Sequence, residues 1–349
     1  MLGPLNHLRV VEGSAFVAAP LAGLTLAQAG ADVIRFDPPG GGLDYGRWPL
    51  APGTGRSLFW TGLNQGKRSL CVDIRRPEGR ELVQHLIGAP GEGGGLLLTN
   101  FAGMPWLSDE VLRARRADVI KLEIAGNFDG SNAVDYTVNP AVGLPSMTGT
   151  GGADAPTNHV LPAWDVACGL TAAFGLVSAV LERARTGQGR SISLALSDVA
   201  FATVGHLGML AEAALGGVDR PPSGNDLYGA FGRDFPTADG ARVMIVALTR
   251  KQWSGLVKVC SIADAVKALE ERLGADLSEA RDPRASTANP LFTAIEQPGV
   301  GSVLAAGSPL AAAGEARSQA RPAPSLGADN DAILGDVLGL SSGAIGKLY

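Results

Sequence analysis

Short apolar runs that alternate with stretches of helical spacing constrain this chain more than any other feature. The runs at 8–11, 31–36, 69–74, 96–99, 119–124 and 190–196 read as strands, and the stretches at 20–29, 77–87 and 108–116 read as helices. Local punctuation supports these bounds. Gly30 stands just past the first helix, Pro77 opens the second and Ser108 caps the third. Strands alternating with helices need a parallel sheet covered on its faces, so the fold class predicted is α/β. Further along, an apolar helix rich in small residues runs from Asp165 towards Arg185. The turn Thr186-Gly187-Gln188-Gly189 ends it, and another apolar helix spans 197–216.

A chain of 349 residues exceeds one ordinary core. Pro221-Pro222-Ser223-Gly224 reads as a domain boundary, with a smaller unit beyond it: a strand at 241–248 and helices at 252–259 and 263–273. An Ala- and Pro-bearing irregular stretch at 311–324 and a tail helix at 331–338 complete the expectation.

Composition removes several function classes. Hydrophobic residues at 46% and charged residues at 18% describe a globular chain. A net charge of -5 and a pI near 5.5 give no electrostatic reason to bind nucleic acid or an anionic membrane, so an anionic ligand would need a local basic pocket. Three distant cysteines with no CxxC spacing argue against a disulfide framework and a zinc site, and point to a reducing compartment, the cytoplasm. Residues 1–10 carry no signal-peptide pattern. The stretch 166–181, interrupted by Gly, Thr and Ser, falls short of a membrane span and reads as a buried helix. Only four histidines are present, which limits mechanisms built on a histidine base.

Few motifs carry chemistry by themselves. Gly40-Gly41-Gly42 and Gly93-Gly94-Gly95 match neither the dinucleotide fingerprint nor the P-loop, and read as loops. Residues 127–157, rich in Gly, Asn, Asp and Pro, read as a long loop around a site. Asp165 follows Pro162-Ala163-Trp164 where a helix should begin. Its simplest reading is an N-cap, which is compatible with a second role as a carboxylate nucleophile towards an acyl centre. His159 reads as a loop or core histidine and His206 as a core residue of an apolar helix. Lys67-Arg68 reads as a surface basic pair or, at the entry to a strand, as a phosphate contact.

Taken in order, several segments resemble family III CoA-transferases. They are Leu8-Arg9-Val10-Val11-Glu12 with Ala19-Pro20; the run from Leu26-Ala27-Gln28-Ala29-Gly30 to Arg35; Asn64-Gln65-Gly66-Lys67-Arg68-Ser69 with Asp73; Asn100-Phe101; the segment ending Thr186-Gly187-Gln188-Gly189; Ser197-Asp198; Gly307-Ser308-Pro309; and Ala323-Pro324-Ser325-Leu326-Gly327. The match covers nearly the whole chain. Within the family it is nearer still to members that move CoA between the two carboxyl groups of one C5 unsaturated diacid. The segments Val11-Glu12-Gly13-Ser14-Ala15-Phe16, Val134-Asp135-Tyr136-Thr137 and Tyr228-Gly229-Ala230-Phe231 carry that likeness.

The resemblance implies a Rossmann-like large domain with a parallel sheet over 1–220, completed by 315–349, and a smaller α/β domain over 225–310, with two subunits interlocked as a homodimer. It implies an acyl-CoA substrate, with CoA as part of that substrate and no other cofactor. Asp165 falls at the family's catalytic aspartate. Lys67, Arg68, Asn100, Phe101, Val17 and Ala18 fall on the CoA-binding face, and Arg47 is the cation assigned to the spare substrate carboxylate. Oxyanion donors are expected from backbone N–H groups near the glycine-rich loops. Alternatives of the same fold are an intermolecular CoA-transferase or an α-methylacyl-CoA racemase. The racemase would want a histidine in 127–139, where none occurs.

Three departures from the family pattern stand out. Val17 occupies a position where formyl-transferring relatives carry glutamine, residues 104–107 lack an arginine, and the segment around 278–290 is several tens of residues short. The last departure implies either a trimmed small domain or residues lost from the chain.

Overall fold

A computed structural model of the chain describes residues 3–150, 155–216, 220–261, 292–297, 301–306, 310–312, 322 and 341–345. Its centre is a sheet of parallel strands: β1 (Arg9–Gly13), β2 (Asp32–Asp37), β3 (Arg68–Cys71), β4 (Leu96–Thr99), β5 (Ile120–Ala125) and β6 (Ser191–Ala195). They lie in the order β3-β2-β1-β4-β5-β6, and Leu310–Ala312 adds an antiparallel edge beside β6. Val10 of β1 pairs with Val33 on one side and Leu96 on the other. The order runs outward in opposite directions from β1 and β4. The loops leaving these two strands therefore diverge, opening a crevice at their carboxyl ends.

The helices are α1 (Ala18–Gln28), α2 (Leu58–Leu63), α3 (Pro77–Gly88), α4 (Asp109–Arg115), α5 (Asp135–Ala141), α6 (Leu144–Met147), α7 (Ala163–Thr186), α8 (Leu196–His206), α9 (Met209–Gly216) and α10 (Arg250–Cys260). Strand alternation divides the core between the two faces of the sheet. Val10, Leu96 and Leu98 point to one face and pack with Ala22 and Leu26 of α1 and Cys168, Ala172 and Leu176 of α7. Val11 and Leu97 point to the other and pack with Val83 and Ile87 of α3 and Leu112 of α4.

α7 is the longest described helix, and by length and composition it is apolar enough to cross a membrane, where the sequence reading has it fall short. In the fold its Trp164, Cys168, Ala172 and Leu176 are buried in the main core. Gly169 lets it approach α1 closely: a Cβ there would stand 2.7 Å from the Ala18 carbonyl oxygen, well inside contact distance.

Other expectations are revised. The stretch 127–157 holds α5 and α6, because Val138 and Val142 reach the main core and Val134 N–H donates to Thr137 Oγ1 at the first turn. The helix expected over 197–216 is two helices, α8 and α9, bent by 66°, with Gly208 at φ 77° between them. Beyond residue 220, β7 (Phe231–Pro236) pairs antiparallel with β8 (Arg242–Ala247), and β9 (Phe292–Gln297) with β10 (Gly301–Ala306). Sequence reading found only β8 of these four. The strand at 310–312 also lies partly in a stretch expected to be irregular. β10 packs on α8 and α9, although the resemblance places 301–306 in the small unit. The helices expected at 263–273 and 331–338, the short segment 278–290 and the completing tail 315–349, apart from 322 and 341–345, lie outside the described residues.

Candidate active site

The crevice at the carboxyl ends of β1 and β4 is built by main-chain clamps. Asn100, just past β4, accepts the Ala15 N–H at 3.0 Å and donates to the Ala15 carbonyl at 2.7 Å, locking the loop that leaves β1. Phe16 then adopts φ 67°, a left-handed conformation that a bulky side chain occupies only under tertiary constraint. The constraint is visible: Phe16 N–H donates to Asp44 Oδ2 at 2.7 Å, and Asp44 is buried. The turn delivers Val17 and Ala18 to the start of α1, where no side chain caps the helix. First-turn N–H groups of such a helix are donors for an anion.

Beneath that loop lies a buried charge cluster. Glu12 accepts from Lys67 Nζ at 2.9 Å, from Ser14 Oγ at 2.6 Å and from Arg35 at 3.3 Å. Arg35 forms a two-pronged pair with Asp37 at 2.9 and 3.0 Å and donates to the Ser14 carbonyl at 2.8 Å. Lys67 also donates to Pro20 O in the first turn of α1 at 2.8 Å. Burial pulls the Lys67 pKa down, against the field of Glu12. Arg35 pays the same burial penalty, yet its bond to Asp37 and the fields of Glu12 and Asp37 carry its pKa up. The expected basic pair therefore splits. Lys67 turns inward, its side chain 2% exposed and engaged by Glu12, while Arg68 points outward and pairs with Asp32 at 3.0 Å. Consecutive residues at a strand entry face opposite ways.

Asp165 enters this crevice from α7. It is the third residue of the helix, not its cap; the N-cap is Pro162. The cap comes from α5 instead: buried Asp135 Oδ2 accepts Trp164 N–H at 2.8 Å and Asp165 N–H at 3.1 Å. Asp165 lies four residues before Gly169, hence on the helix face that meets the start of α1. Burial first, then the neighbouring Asp135 charge, raise the Asp165 pKa to about 6, while Arg47 pulls it down. Cys168, one turn further into the core, has its thiol pKa driven well above the ordinary range by burial and by Asp165.

Arg47 is the cation the fold brings towards Asp165. Its guanidinium lies over the Phe16 ring at 5.2 Å and the Phe59 ring at 4.6 Å, with Asp44 Oδ1 at 3.6 Å. Stacking between two rings holds the arginine while leaving it 42% exposed, able to meet a carboxylate from solvent. Phe101 is partly buried against Phe36, with ring centroids 6.2 Å apart.

The glycine runs separate. Gly40–Gly42 follow β2 on the crevice side. Gly93–Gly95 precede β4 at the opposite end of the sheet, where a Cβ on Gly93 would meet the His7 carbonyl oxygen at 1.6 Å. That second run makes room for chain packing and supplies no oxyanion donor at Asp165. A cavity of about 720 Å³ at the same far end is lined by His7, Arg116, Asp118 and Arg183 among others. Its arginines already hold Asp118 and the carbonyls of Glu92 and Gly94. Asp135 is the site residue that sequence reading missed. Thirty positions before Asp165, it stood in a stretch read as loop and gave no local signal.

Residues 5–274 match CoA-transferase family III. The chain belongs to CoA-transferase family III. It is 48% identical to the 2-methylfumaryl-CoA isomerase of Chloroflexus aurantiacus, over 100% of this chain and 97% of the relative. That alignment runs to 397 positions against 349 residues here, so about 48 positions have no counterpart in this chain. A second relative from the same organism, succinyl-CoA--D-citramalate CoA-transferase, is 32% identical over 70% of this chain and 61% of its own length. Among solved structures, a CAIB/BAIF family protein from Brucella suis superimposes with a TM-score of 0.64 at 23% identity, covering 97% of this chain and 100% of that one. This likeness establishes the family III fold: an α/β chain with a parallel sheet of six strands flanked by helices. A family III CoA-transferase is an enzyme acting on acyl-CoA.

Proposed function

We propose that the protein moves CoA between the C1 and C4 carboxyl groups of 2-methylfumarate (mesaconate), within one substrate molecule, with Asp165 as the acyl carrier. The observation that carries this reading is Asp165 itself: a carboxylate with a raised pKa at the head of α7, facing the uncapped start of α1. The choice of substrate rests on the full-length similarity to 2-methylfumaryl-CoA isomerase.

The Asp165 carboxylate attacks the C1 thioester carbonyl. The C–S bond breaks, giving a mixed anhydride and CoA thiolate. Thiolate attacks the aspartyl carbonyl of the anhydride, releasing the diacid as its dianion and leaving an aspartyl-CoA thioester. The diacid turns end for end, and its C4 carboxylate attacks that thioester, reforming an anhydride and thiolate. Thiolate then attacks the C4 carbonyl, and Asp165 returns as carboxylate. Charge and atoms balance at each step without an added proton or redox partner, and one difficult exchange becomes four activated ones.

Environment favours this path. Burial and the Asp135 charge raise the energy of free Asp165, and acylation discharges it. First-turn N–H groups of α1 at Val17 and Ala18 are suited to the tetrahedral oxyanions, standing in for the donor lost with valine at 17. Arg47, held between Phe16 and Phe59, suits the carboxylate that is not reacting. Asn100 fixes the loop that shapes this cradle, and Phe101 and Arg68 are assigned to the CoA moiety.

The reading includes a cytoplasmic homodimer with no cofactor beyond the substrate's CoA. Leu170, Phe174 and Leu181 stand 50%, 68% and 69% exposed along α7, an apolar face suited to a second copy. The test is incubation with 2-methylfumaryl-CoA esterified at C1, alone. The C4 isomer should form with no free acid added. Product that forms only after a free acid is supplied would replace intramolecular with intermolecular transfer.

A further inference from the structure

His159 is joined to Asp165 by a short chain of hydrogen bonds that the transfer mechanism leaves unexplained. Its Nε2 stands 3.0 Å from Asp135 Oδ1, and the other oxygen of the same carboxylate holds the Trp164 and Asp165 N–H groups. A carboxylate only accepts, so Nε2 is the donor. The segment bearing His159 is strapped to α5 at several points. Asn139 Nδ2 donates to Asn158 Oδ1 at 2.6 Å and Tyr136 OH donates to the Val160 carbonyl at 3.1 Å, while within the segment the His159 N–H donates to Asn158 Oδ1 at 3.1 Å. Asn139 also accepts the Trp164 indole N–H at 3.0 Å, closing a ring of contacts around the head of α7.

We propose that His159 is a positioning residue: its hydrogen bond holds Asp135 in place and draws charge from it, so that Asp165 stays correctly seated and ionised for attack on the thioester. This deepens the proposed function and rests on Asp165 being the nucleophile. The Asp135 carboxylate accepts the Asp165 main-chain N–H, so the two carboxylates lie near enough to repel and the field of the buried one falls on Asp165. Removing the imidazole leaves a buried acceptor without its side-chain donor and intensifies that field. The charged and titratable groups around the pair are few among the described residues. Asp165 faces Asp135 from α5, Arg47 from the loop after β2 and Cys168 on its own helix. His159 faces Asp135 and, by ring contacts, Tyr136 and Trp164.

The experiment reads Asp165 without substrate. Protein carrying carbon-13 at the aspartate Cγ is titrated by NMR, with the Asp165 signal assigned by its loss in Asp165→Asn. The wild-type midpoint is expected at about 6. His159→Ala should raise it by about half a unit to one unit, whereas His159→Gln, which keeps an N–H donor, should hold it within about 0.3 units of wild type. The acid limb of turnover should move with the midpoint, so His159→Ala loses about two- to fivefold of activity at pH 6 and less at higher pH. An unmoved midpoint in His159→Ala, or an equal shift in His159→Gln, overturns the proposal and leaves His159 a merely structural strap. Because the NMR titration needs no turnover, it stays readable if transfer proves intermolecular. An Asp165 whose replacement leaves turnover intact would instead sink the underlying function.

Discussion

Two buried carboxylate clusters lie within this fold and are treated in opposite ways. Under the loop that leaves β1, Glu12 and Asp37 meet Arg35 and Lys67, two acids against two bases, with every one of these side chains at most 6% exposed. At the head of α7, Asp135 and Asp165 meet each other, with His159 as hydrogen-bond donor to one and Arg47 as a partly exposed cation near the other. The first cluster is compensated and serves as a rigid floor for Phe16, Val17 and Ala18. The second is left with surplus negative charge, and burial with the Asp135 charge holds its Asp165 at a pKa of about 6. Buried charge that is matched makes structure, and buried like charge that is left unmatched stores the free energy that a reaction can release.

Replacing Asp165 should break this contrast most severely. Asp165→Asn removes the proposed nucleophile, and turnover should fall by about 10⁴-fold or more while CoA binding by calorimetry persists. The same change should stabilise the fold. With its pKa raised, Asp165 keeps its proton in the native state up to about pH 6, while the unfolded chain releases it near the ordinary value of 3.8. Native protein therefore binds more protons across that window, stability drops as pH rises through it, and the penalty is complete above pH 6. Asp165→Asn should recover about 1–2 kcal/mol at pH 7 in urea unfolding, the shift being discounted for partial solvent access. A variant no more stable than wild type at pH 7 would mean that Asp165 is not strained by its surroundings.

The compensated cluster should answer in the other currency. Lys67→Met leaves Glu12 buried without its lysine and should lose about 3–5 kcal/mol of stability, read by the same unfolding curves. The Asp165 midpoint should not move. If Lys67→Met instead weakens CoA binding with stability intact, the inward ion pair is not what Lys67 is for. Arg47→Gln should have the smallest effect. It should raise KM by about tenfold through loss of a charge-assisted contact to the spare carboxylate, and move the acid limb upward, because Arg47 lowers the Asp165 pKa. A KM unchanged in Arg47→Gln would assign that carboxylate to another group.

The alternating pattern at 8–11, 31–36, 69–74, 96–99, 119–124 and 190–196 was enough to expect a parallel α/β sheet, since apolar runs of strand length between amphipathic helices have few other ways to bury both faces. Asp165 was legible too, as an acid at the start of an apolar helix and as a family position, though its role as helix cap was misjudged by three residues. Pairwise matters were not legible. No spacing rule links Asp135 to Asp165, Glu12 to Lys67 or His159 to Asp135, and the split of Lys67 from Arg68 depends on which way a strand entry faces. Strands β7 and β9 were missed for a different reason: Gly, Pro and charged or polar residues interrupt their apolar pattern.

Sequence by itself therefore determined most elements of the parallel sheet and the fold class, because hydrophobic period and local composition act over a few residues; the role proposed for Asp165 came from family likeness, not from local pattern. Only tertiary structure decided which charges are neutralised and which are left to repel. Coulomb energies and desolvation depend on distances between segments that the chain brings together only by folding.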